Sequence, residues 1–277
     1  MTLQTRNHSF KAGIIISAVA LGIMICAVFT VLSAYPEAME KSSYRSVGLI
    51  QGFVTGRAET YAYTPFFSTL GAVLFSLITI SIIRFSFMKT QSEEIFYIGL
   101  FVMSMSIECF RTLVPFKTAF EIPSMYLYIS SRFLIFSRCF GMFSLFAASL
   151  CAAGLKTERQ RNVFFSVSLV AMVIALGIPV DGLSWDSTLN VHSGYASTFL
   201  LIEAGLPIAT VLNFLVAAYN RSTREFITIS LGILMVFVGR DILLHSDTII
   251  TPIPGILILS AGTWLVCTRL HRVYLWI

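Results

Sequence analysis

Residues 12–34, AGIIISAVALGIMICAVFTVLSA, form a run of 23 residues without one charged side chain. An α-helix needs about 20 apolar residues to cross ~30 Å of hydrocarbon, so this run predicts a transmembrane helix. The run is also longer than the apolar core of a secretory signal, which has about 7–15 residues. We therefore expect an uncleaved first span.

Further apolar blocks of similar length follow along the rest of the chain. Only 12% of the 277 residues are charged, which is about half the fraction found in a soluble domain. The composition predicts an all-α integral membrane bundle of about eight transmembrane helices, in a single transmembrane domain over residues 1–277. A β-barrel would instead show alternation over segments of about 10 residues. The predicted spans are residues 12–34, 64–87, 95–116, 125–155, 163–180, 198–219, 226–244 and 251–268.

Two spans and two connections depart from a regular pattern. The fourth span is long, which indicates tilt or an extension beyond the bilayer. Pro252 and Pro254 interrupt the start of the last span, so seven spans plus a re-entrant segment stay open. The connection 35–63 contains an apolar stretch and is predicted to form a small lid over the bundle, either an interfacial helix or a small hairpin. The connection 181–197 contains aromatic residues typical of interfacial anchors.

The basic residues of the loops predict how the chain is oriented. Cytoplasmic loops of membrane proteins carry an excess of Lys and Arg. With the N-terminus inside, eleven basic residues fall on the inner side and four on the outer side, so we expect an N-in, C-in topology. The inner set is Arg6, Lys11, Arg84, Lys89, Lys156, Arg159, Arg161, Arg221, Arg224, Arg269 and Arg272, and the outer set is Lys41, Arg45, Arg57 and Lys117.

Seven charged side chains lie inside the predicted spans, all in the outer half or near the midplane. Charge at membrane depth is costly, so it is usually paired, buried in the bundle and connected to function. The four arginines exceed the three carboxylates, which favours an outward-facing pocket for a polar or anionic ligand. Structural ion pairs that lock the helices together are the alternative. The candidate ligand-binding residues are Arg138, Arg132, Glu108, Arg111, Glu203, Arg240 and Asp241.

The spacing of these residues predicts some of their partners. Glu108 and Arg111 are three residues apart, so they share a helix face and can pair directly. Arg132 and Arg138 are separated by about 120° around their helix, so they need not share partners. Arg138 is the deepest, at ~20 Å from the outer end of its span, and has no obvious partner. It is the first candidate for an unpaired cation.

Missing motifs narrow the range of functions. The four histidines lie at span ends or in loops, and the sequence has no zinc-ligand spacing, Schiff-base lysine at membrane depth or phosphate-binding glycine loop. We therefore expect no catalytic residues, no metal, no cofactor and no enzymatic activity. The basic residues are scattered through short loops, so nucleic acid is not an expected partner. The five cysteines all lie in apolar segments and are interpreted as packing residues.

The stretch Ile107-Glu108-Cys109-Phe110-Arg111 lies late in the third span, the inner loops are short and basic, and a last helix leads into the cytoplasm. This architecture resembles bacterial seven- or eight-span membrane sensor modules. The resemblance implies a receptor in a prokaryotic inner membrane. Such a receptor would bind a small polar or anionic ligand, or an amphiphile, from the outer side and signal to a cytoplasmic domain or partner protein. A homodimer is compatible with it.

Two other functions stay open at this point. A small-solute transporter or channel is one, although the prolines lie near the outer span ends and do not break helix centres as they do in many transporters. A non-catalytic subunit of a membrane complex is the other, because long apolar surfaces can contact partners as well as lipid.

Overall fold

The fold is a bundle of α-helices with one small hairpin. A computed structural model describes residues 3–34, 64–87, 92–154, 160–221, 223–246 and 250–275, so the predicted lid at 35–63 lies outside the described residues. Within those ranges the helices are α1 (Leu3–Ala34), α2 (Thr64–Ser86), α3 (Glu93–Ser104), a 3₁₀ helix (Met105–Thr112), α4 (Leu113–Phe120), α5 (Ser124–Ala152), α6 (Gln160–Gly177), α7 (Ala196–Asn220), α8 (Glu225–Leu244) and α9 (Pro252–Leu275), and the strands are β1 (Val180–Trp185) and β2 (Val191–Ser193).

Seven segments in the described ranges are long and apolar enough to cross a membrane. They correspond to seven of the predicted spans, so the all-α, multi-pass class is confirmed. The fifth predicted span, 163–180, differs because its helix ends at Gly177 and its apolar part is only Asn162–Gly177. At 1.5 Å per residue this part is ~24 Å long, which is less than the ~30 Å of a hydrocarbon core.

The prolines of the last span begin its helix instead of interrupting it. Helix α9 begins at Pro252 and runs to Leu275, and it is one of the seven segments that are long and apolar enough to cross a membrane. Proline suits the first turn of a helix because its missing N–H would have no intrahelical partner there.

Span three is not the continuous helix that residues 95–116 predict. It consists of α3, the 3₁₀ helix Met105–Thr112 and α4 in direct succession. It is also the most buried of the seven long segments. The 3₁₀ helix therefore lies in the middle of the bundle, between α2 and α5.

Helices α8 and α9 pack with their backbones almost in contact. Gly239 faces Leu259, where an added Cβ would lie 2.5 Å from the backbone nitrogen and 2.8 Å from Cα. An added Cβ at Gly262 would lie 2.8 Å from the carbonyl oxygen of Gly232. Small residues allow such an approach between membrane helices. We call this contact the glycine seam, formed by Gly232, Gly239, Gly255 and Gly262.

The basic residues of the helix ends gather at one end of the bundle, which we call the basic end. There Arg269 and Arg272 of α9 pair with Glu225 at 2.9 and 3.7 Å. Arg6 Nη2 donates to the carbonyl of Phe87 at 3.4 Å. The opposite end, at which α5 begins and α8 ends, is called the far end.

The connection after α6 is a β-hairpin that turns back along α5. Arg132 of α5 contacts the carbonyls of Ala175 and Leu176 at the end of α6. Arg138, six residues and ~9 Å further along α5, contacts Asn190 in the hairpin turn. The turn thus reaches closer to the centre of the bundle than the end of α6 does.

Candidate functional site

Glu108 lies at the centre of a buried ionic network near the far end. Its side chain is 2% exposed and receives two arginines from different segments. Arg138 Nε and Nη2 donate to its two oxygens at 2.9 and 3.0 Å, as a bidentate pair. Arg111 Nε lies 2.6 Å from Oε2. Such planar, charge-assisted contacts are stronger than neutral hydrogen bonds and restrict geometry.

The pairing of Glu108 with Arg111 confirms the prediction from their spacing, with a different local geometry. Both residues belong to the 3₁₀ helix. With three residues per turn, side chains at i and i+3 of a 3₁₀ helix lie directly above one another. An α-helix would turn the two side chains ~60° apart, so the ion pair is better suited to the 3₁₀ form.

Arg111 also stabilises the end of another helix. Its side chain is fully buried, and Nη1 donates to the carbonyl of Leu244 at 3.0 Å. Ser68 Oγ donates to the neighbouring carbonyl of Leu243. The last carbonyls of a helix have no intrahelical partner and carry partial negative charge, so a cation there is favourable. Arg111 therefore connects span three to the end of α8.

Arg138 is not the unpaired cation that the sequence predicts. Besides Glu108 it contacts Asn190, whose Oδ1 accepts from Nη2 at 2.7 Å. The sequence reasoning failed here because the partner on the third span and the partner in the hairpin lie 30 and 52 residues away. Arg138 is 10% exposed along its side chain, so both contacts are largely shielded from solvent.

The hairpin turn that presents Asn190 is held by Asp186. Asp186 Oδ1 accepts from the backbone N–H of Thr188 at 3.0 Å and from that of Asn190 at 2.9 Å. Asn190 Nδ2 donates to the hydroxyl of Thr188 at 2.6 Å, which directs the amide oxygen to the arginine. Leu189 has a positive φ of 59°, a conformation that a branched side chain adopts at a cost. These contacts within the turn orient the side-chain amide of Asn190 toward Arg138.

Arg132 does not belong to the network. Its guanidinium donates to the carbonyls of Ala175 and Leu176 and lies over the ring of Tyr128, 4.7 Å from the ring centroid. It acts as a cation at the C-terminus of α6. The expectation that Arg132 and Arg138 have separate partners is confirmed, whereas the grouping of Arg132 with the other candidates is not supported by its contacts.

The remaining candidates form two looser pairs at the far end. Arg240 Nη2 lies 3.6 Å from Glu203 Oε1, which joins α8 to α7. His245 Nδ1 lies 3.3 Å from Asp241 Oδ1, one helical turn away. The charge of Arg240 also acts on Glu108, and that of Glu203 acts on Arg138. The two groups of charges therefore interact electrostatically.

The balance of charge differs from the predicted surplus of arginine. Arg132 lies elsewhere, and Asp186 joins the network because its carboxylate interacts with both Arg111 and Arg138. Among the described side chains the groups linked in this way are three arginines and three carboxylates: Arg111, Arg138, Arg240, Glu108, Asp186 and Glu203. Within this network the arginines do not exceed the carboxylates.

Four polar atoms of this network are buried without a hydrogen-bond partner, within the part of the chain that the structure describes: Arg111 Nε, Arg111 Nη2, Arg240 Nη2 and Glu203 Oε1. Three of them face an opposite charge, since Arg240 Nη2 and Glu203 Oε1 lie 3.6 Å apart and Arg111 Nε lies beside Glu108, whereas Arg111 Nη2 has unused donor capacity. A buried polar group without a partner is costly unless a water or ligand supplies one. The network can accept further polar contacts.

Asp186, Thr188 and Asn190 are not among the candidates predicted from the sequence. They lie in a loop, and nothing in their sequence context indicates that the loop reaches the interior of the bundle. Across the described ranges, no group of three or more His, Cys, Asp or Glu side chains is arranged to hold a metal ion. No family model, curated protein or solved structure matches the chain.

Proposed function

We propose that the chain is a membrane receptor module that binds a small polar ligand at Arg138. The observation that carries the proposal is the contact between Arg138, deep in the bundle, and Asn190 of the re-entrant hairpin. We further propose that the basic end faces the cytoplasm of a prokaryotic cell, in accordance with the distribution of loop charges. The far end would then receive the ligand.

The contact with Asn190 is one that a ligand can replace. Arg138 keeps its bidentate pair with Glu108 through Nε and Nη2, so loss of the amide leaves its charge neutralised. A ligand oxygen in the position of the amide oxygen would restore the lost hydrogen bond. The free Nη2 of Arg111, next to the same carboxylate, supplies a second donor.

The charge balance favours a neutral or zwitterionic ligand over a simple anion. The network contains as many carboxylates as arginines, so an added anion would find no surplus positive charge in a medium of low polarity. A molecule with a carbonyl or amide oxygen meets the donors without adding charge. A zwitterion would bring a cationic group for Glu203 Oε1, which is buried without a hydrogen bond.

A thermal-stability screen in lipid nanodiscs tests the proposal. Amides, amino acids, organic acids, phosphorylated compounds, amines and lipids would be added to the wild type and to Arg138→Gln. A ligand at 100 times its dissociation constant stabilises the folded state by about 2.7 kcal/mol. We expect one class of compound to stabilise the wild type and to lose this effect in Arg138→Gln.

Arg132→Gln is the matched control, because it removes an arginine from the same helix but outside the network. A ligand that acts at Arg138 should still stabilise this variant. The receptor proposal would be rejected if no compound stabilised the wild type, or if Arg138→Gln responded as strongly as Arg132→Gln.

A transporter is the second candidate, and the short helix α6 with its re-entrant hairpin favours it. Non-helical backbone at membrane depth is tolerated where it is buried in protein or lines a cavity, as in the broken helices of transporters. Uptake of the stabilising compound into proteoliposomes would identify this function. Binding without uptake would favour the receptor.

A further inference from the structure

The 3₁₀ helix Met105–Thr112 has an unusual length. It contains eight residues, whereas 3₁₀ runs longer than three or four residues are uncommon because their hydrogen bonds are poorer than those of an α-helix. It is continuous with α3 on one side and α4 on the other. A stretch of this kind inside a longer helix is typical of a hinge or of a strained sequence.

Side-chain contacts support the 3₁₀ form from within. The hydroxyls of Ser106 and Thr112 each donate at 2.7 Å to the carbonyl three residues earlier. The ion pair of Glu108 with Arg111 also has the i, i+3 spacing at which 3₁₀ side chains eclipse. The segment thus depends on the same carboxylate that holds Arg138.

Span three contacts the α8–α9 pair on both sides of the 3₁₀ helix. Toward the far end, Arg111 donates to the carbonyl of Leu244 at the end of α8. Toward the basic end, the hydroxyl of Tyr274 on α9 donates to Glu94 at 2.6 Å, and Glu94 is 1% exposed. The glycine seam keeps α8 and α9 together, so a change in the length of span three must alter one of these two contacts.

We propose that residues 105–112 switch between 3₁₀ and α-helical forms and thereby transmit ligand binding from the far-end network to the basic end. This inference rests on the proposed function and adds its mode of regulation. A 3₁₀ helix rises ~2.0 Å per residue and an α-helix ~1.5 Å, so eight residues become ~4 Å shorter in the α form. The same change rotates Arg111 by more than ~100° relative to α3, away from the carbonyl of Leu244, and turns it by ~60° relative to Glu108.

The two ends of the switch have distinct roles. A ligand held by the unused Nη2 of Arg111 would draw this guanidinium toward itself and so weaken the eclipsed pair with Glu108 that favours the 3₁₀ form. When the segment shortens, Tyr274 of α9 has to follow Glu94, at the other end of span three, or release it. Either outcome moves the end of α9.

Distance measurements between two spin labels on span three test this switch directly. The labels would replace Glu93 at the start of α3 and Phe120 at the end of α4, in a Cys26→Ala background, since Cys26 is the exposed cysteine and the other four are buried. The variant Ser106→Ala/Thr112→Ala removes the two supporting hydroxyls and introduces the residue that favours an α-helix most. Double electron–electron resonance on the protein in nanodiscs would then measure the distance between the two labels, which reports the length of span three.

Ser130→Ala is the matched control. Ser130 is also buried and donates to the carbonyl three residues earlier, at 3.0 Å, but it lies in the regular helix α5. We expect a population ~4 Å shorter in Ser106→Ala/Thr112→Ala and an unchanged distance in Ser130→Ala. If the double variant does not fold, Thr112→Ala alone should give a smaller fraction of the short population.

The proposed switch is overturned if the label distance is unchanged in both Ser106→Ala/Thr112→Ala and Thr112→Ala. It is also overturned if Ser130→Ala shifts the label distance by the same amount. Failure of the switch is distinguishable from failure of the receptor, since ligand stabilisation depends on Arg138 and is measured without labels. If a compound stabilises the wild type but leaves the label distance unchanged, the proposed binding site is supported and the proposed switch in span three is rejected.

Discussion

The glycine seam and the far-end network both hold helices together, by opposite physical means. In the seam, the Gly239 backbone meets that of Leu259 with no space for a methyl group, so packing alone specifies the contact. In the network, Arg138, Arg111 and Glu108 join helices through directed charges, with an unused donor on Arg111. A seam of this kind has one arrangement, whereas an ionic network can exchange partners. This difference is the reason why we place the proposed ligand response in the network.

The largest effect is expected from Glu108→Gln. This change removes the carboxylate and leaves two buried arginines without their common counter-charge, which typically costs about 3–5 kcal/mol. Denaturant titration in micelles would measure the loss. A triple replacement of Glu108, Arg111 and Arg138 by Met should recover most of the stability, because apolar residues of similar size often replace buried ion pairs without loss. If the triple variant were as unstable as Glu108→Gln, the network would be required for the stability of the fold.

Gly239→Ala should show the next largest effect. The new methyl group would meet the backbone of α9, which cannot move aside without separating the helices, so a loss of about 1–3 kcal/mol is expected. Gly22→Ala is the control, since nothing lies within 4 Å of a Cβ added there. The control should be neutral or stabilising by up to about 1 kcal/mol, because alanine favours a helix over glycine. Equal stability of the two variants would contradict the seam.

Arg132→Gln should cost about 2 kcal/mol, from lost charge-assisted hydrogen bonds to the end of α6. The loss should be the same with and without ligand, because Arg132 does not contact the network. Thermal denaturation in nanodiscs at both conditions checks this. A ligand-dependent loss would mean that the end of α6 and the hairpin turn respond together.

Tyr274→Phe should have the smallest effect, a loss of about 1 kcal/mol, from removal of one hydrogen bond to buried Glu94. Ser92 Oγ still donates to the other oxygen of Glu94 at 2.8 Å, so the carboxylate keeps a partner. The measurement is again the free energy of unfolding. If ligand binding releases this hydrogen bond, its removal should raise ligand affinity by up to about fivefold, which corresponds to ~1 kcal/mol. A larger change would show that the two ends of span three are coupled more tightly than one hydrogen bond allows.

Several features of the fold could be predicted because they depend on neighbours along the chain. The length of an apolar run determines whether it can cross a membrane, and residues 12–34 or 226–244 are judged from their own composition. The pair of Glu108 and Arg111 follows from a spacing of three. The fifth predicted span, 163–180, is longer than the apolar part of helix α6, because Ile178 and Pro179 continue the apolar run although the helix ends at Gly177.

Partners distant in sequence could not be predicted in the same way. Nothing near Arg138 indicates that Glu108 and Asn190 lie beside it, since a long-range contact depends on how whole helices pack. The contrast between Arg132 and Arg138 shows this well. Both are arginines in the same helix, and one binds the end of α6 while the other completes the network.

The sequence by itself determined that this is a helical membrane protein with costly charges placed at depth, because hydrophobicity and helical rise are local properties of the chain. Only the tertiary structure decided which charges meet, that a hairpin amide reaches Arg138, and that span three contains a 3₁₀ helix at Glu108. These features arise from contacts between segments that the chain brings together only when the bundle is assembled. Their energies depend on partners far apart in the sequence.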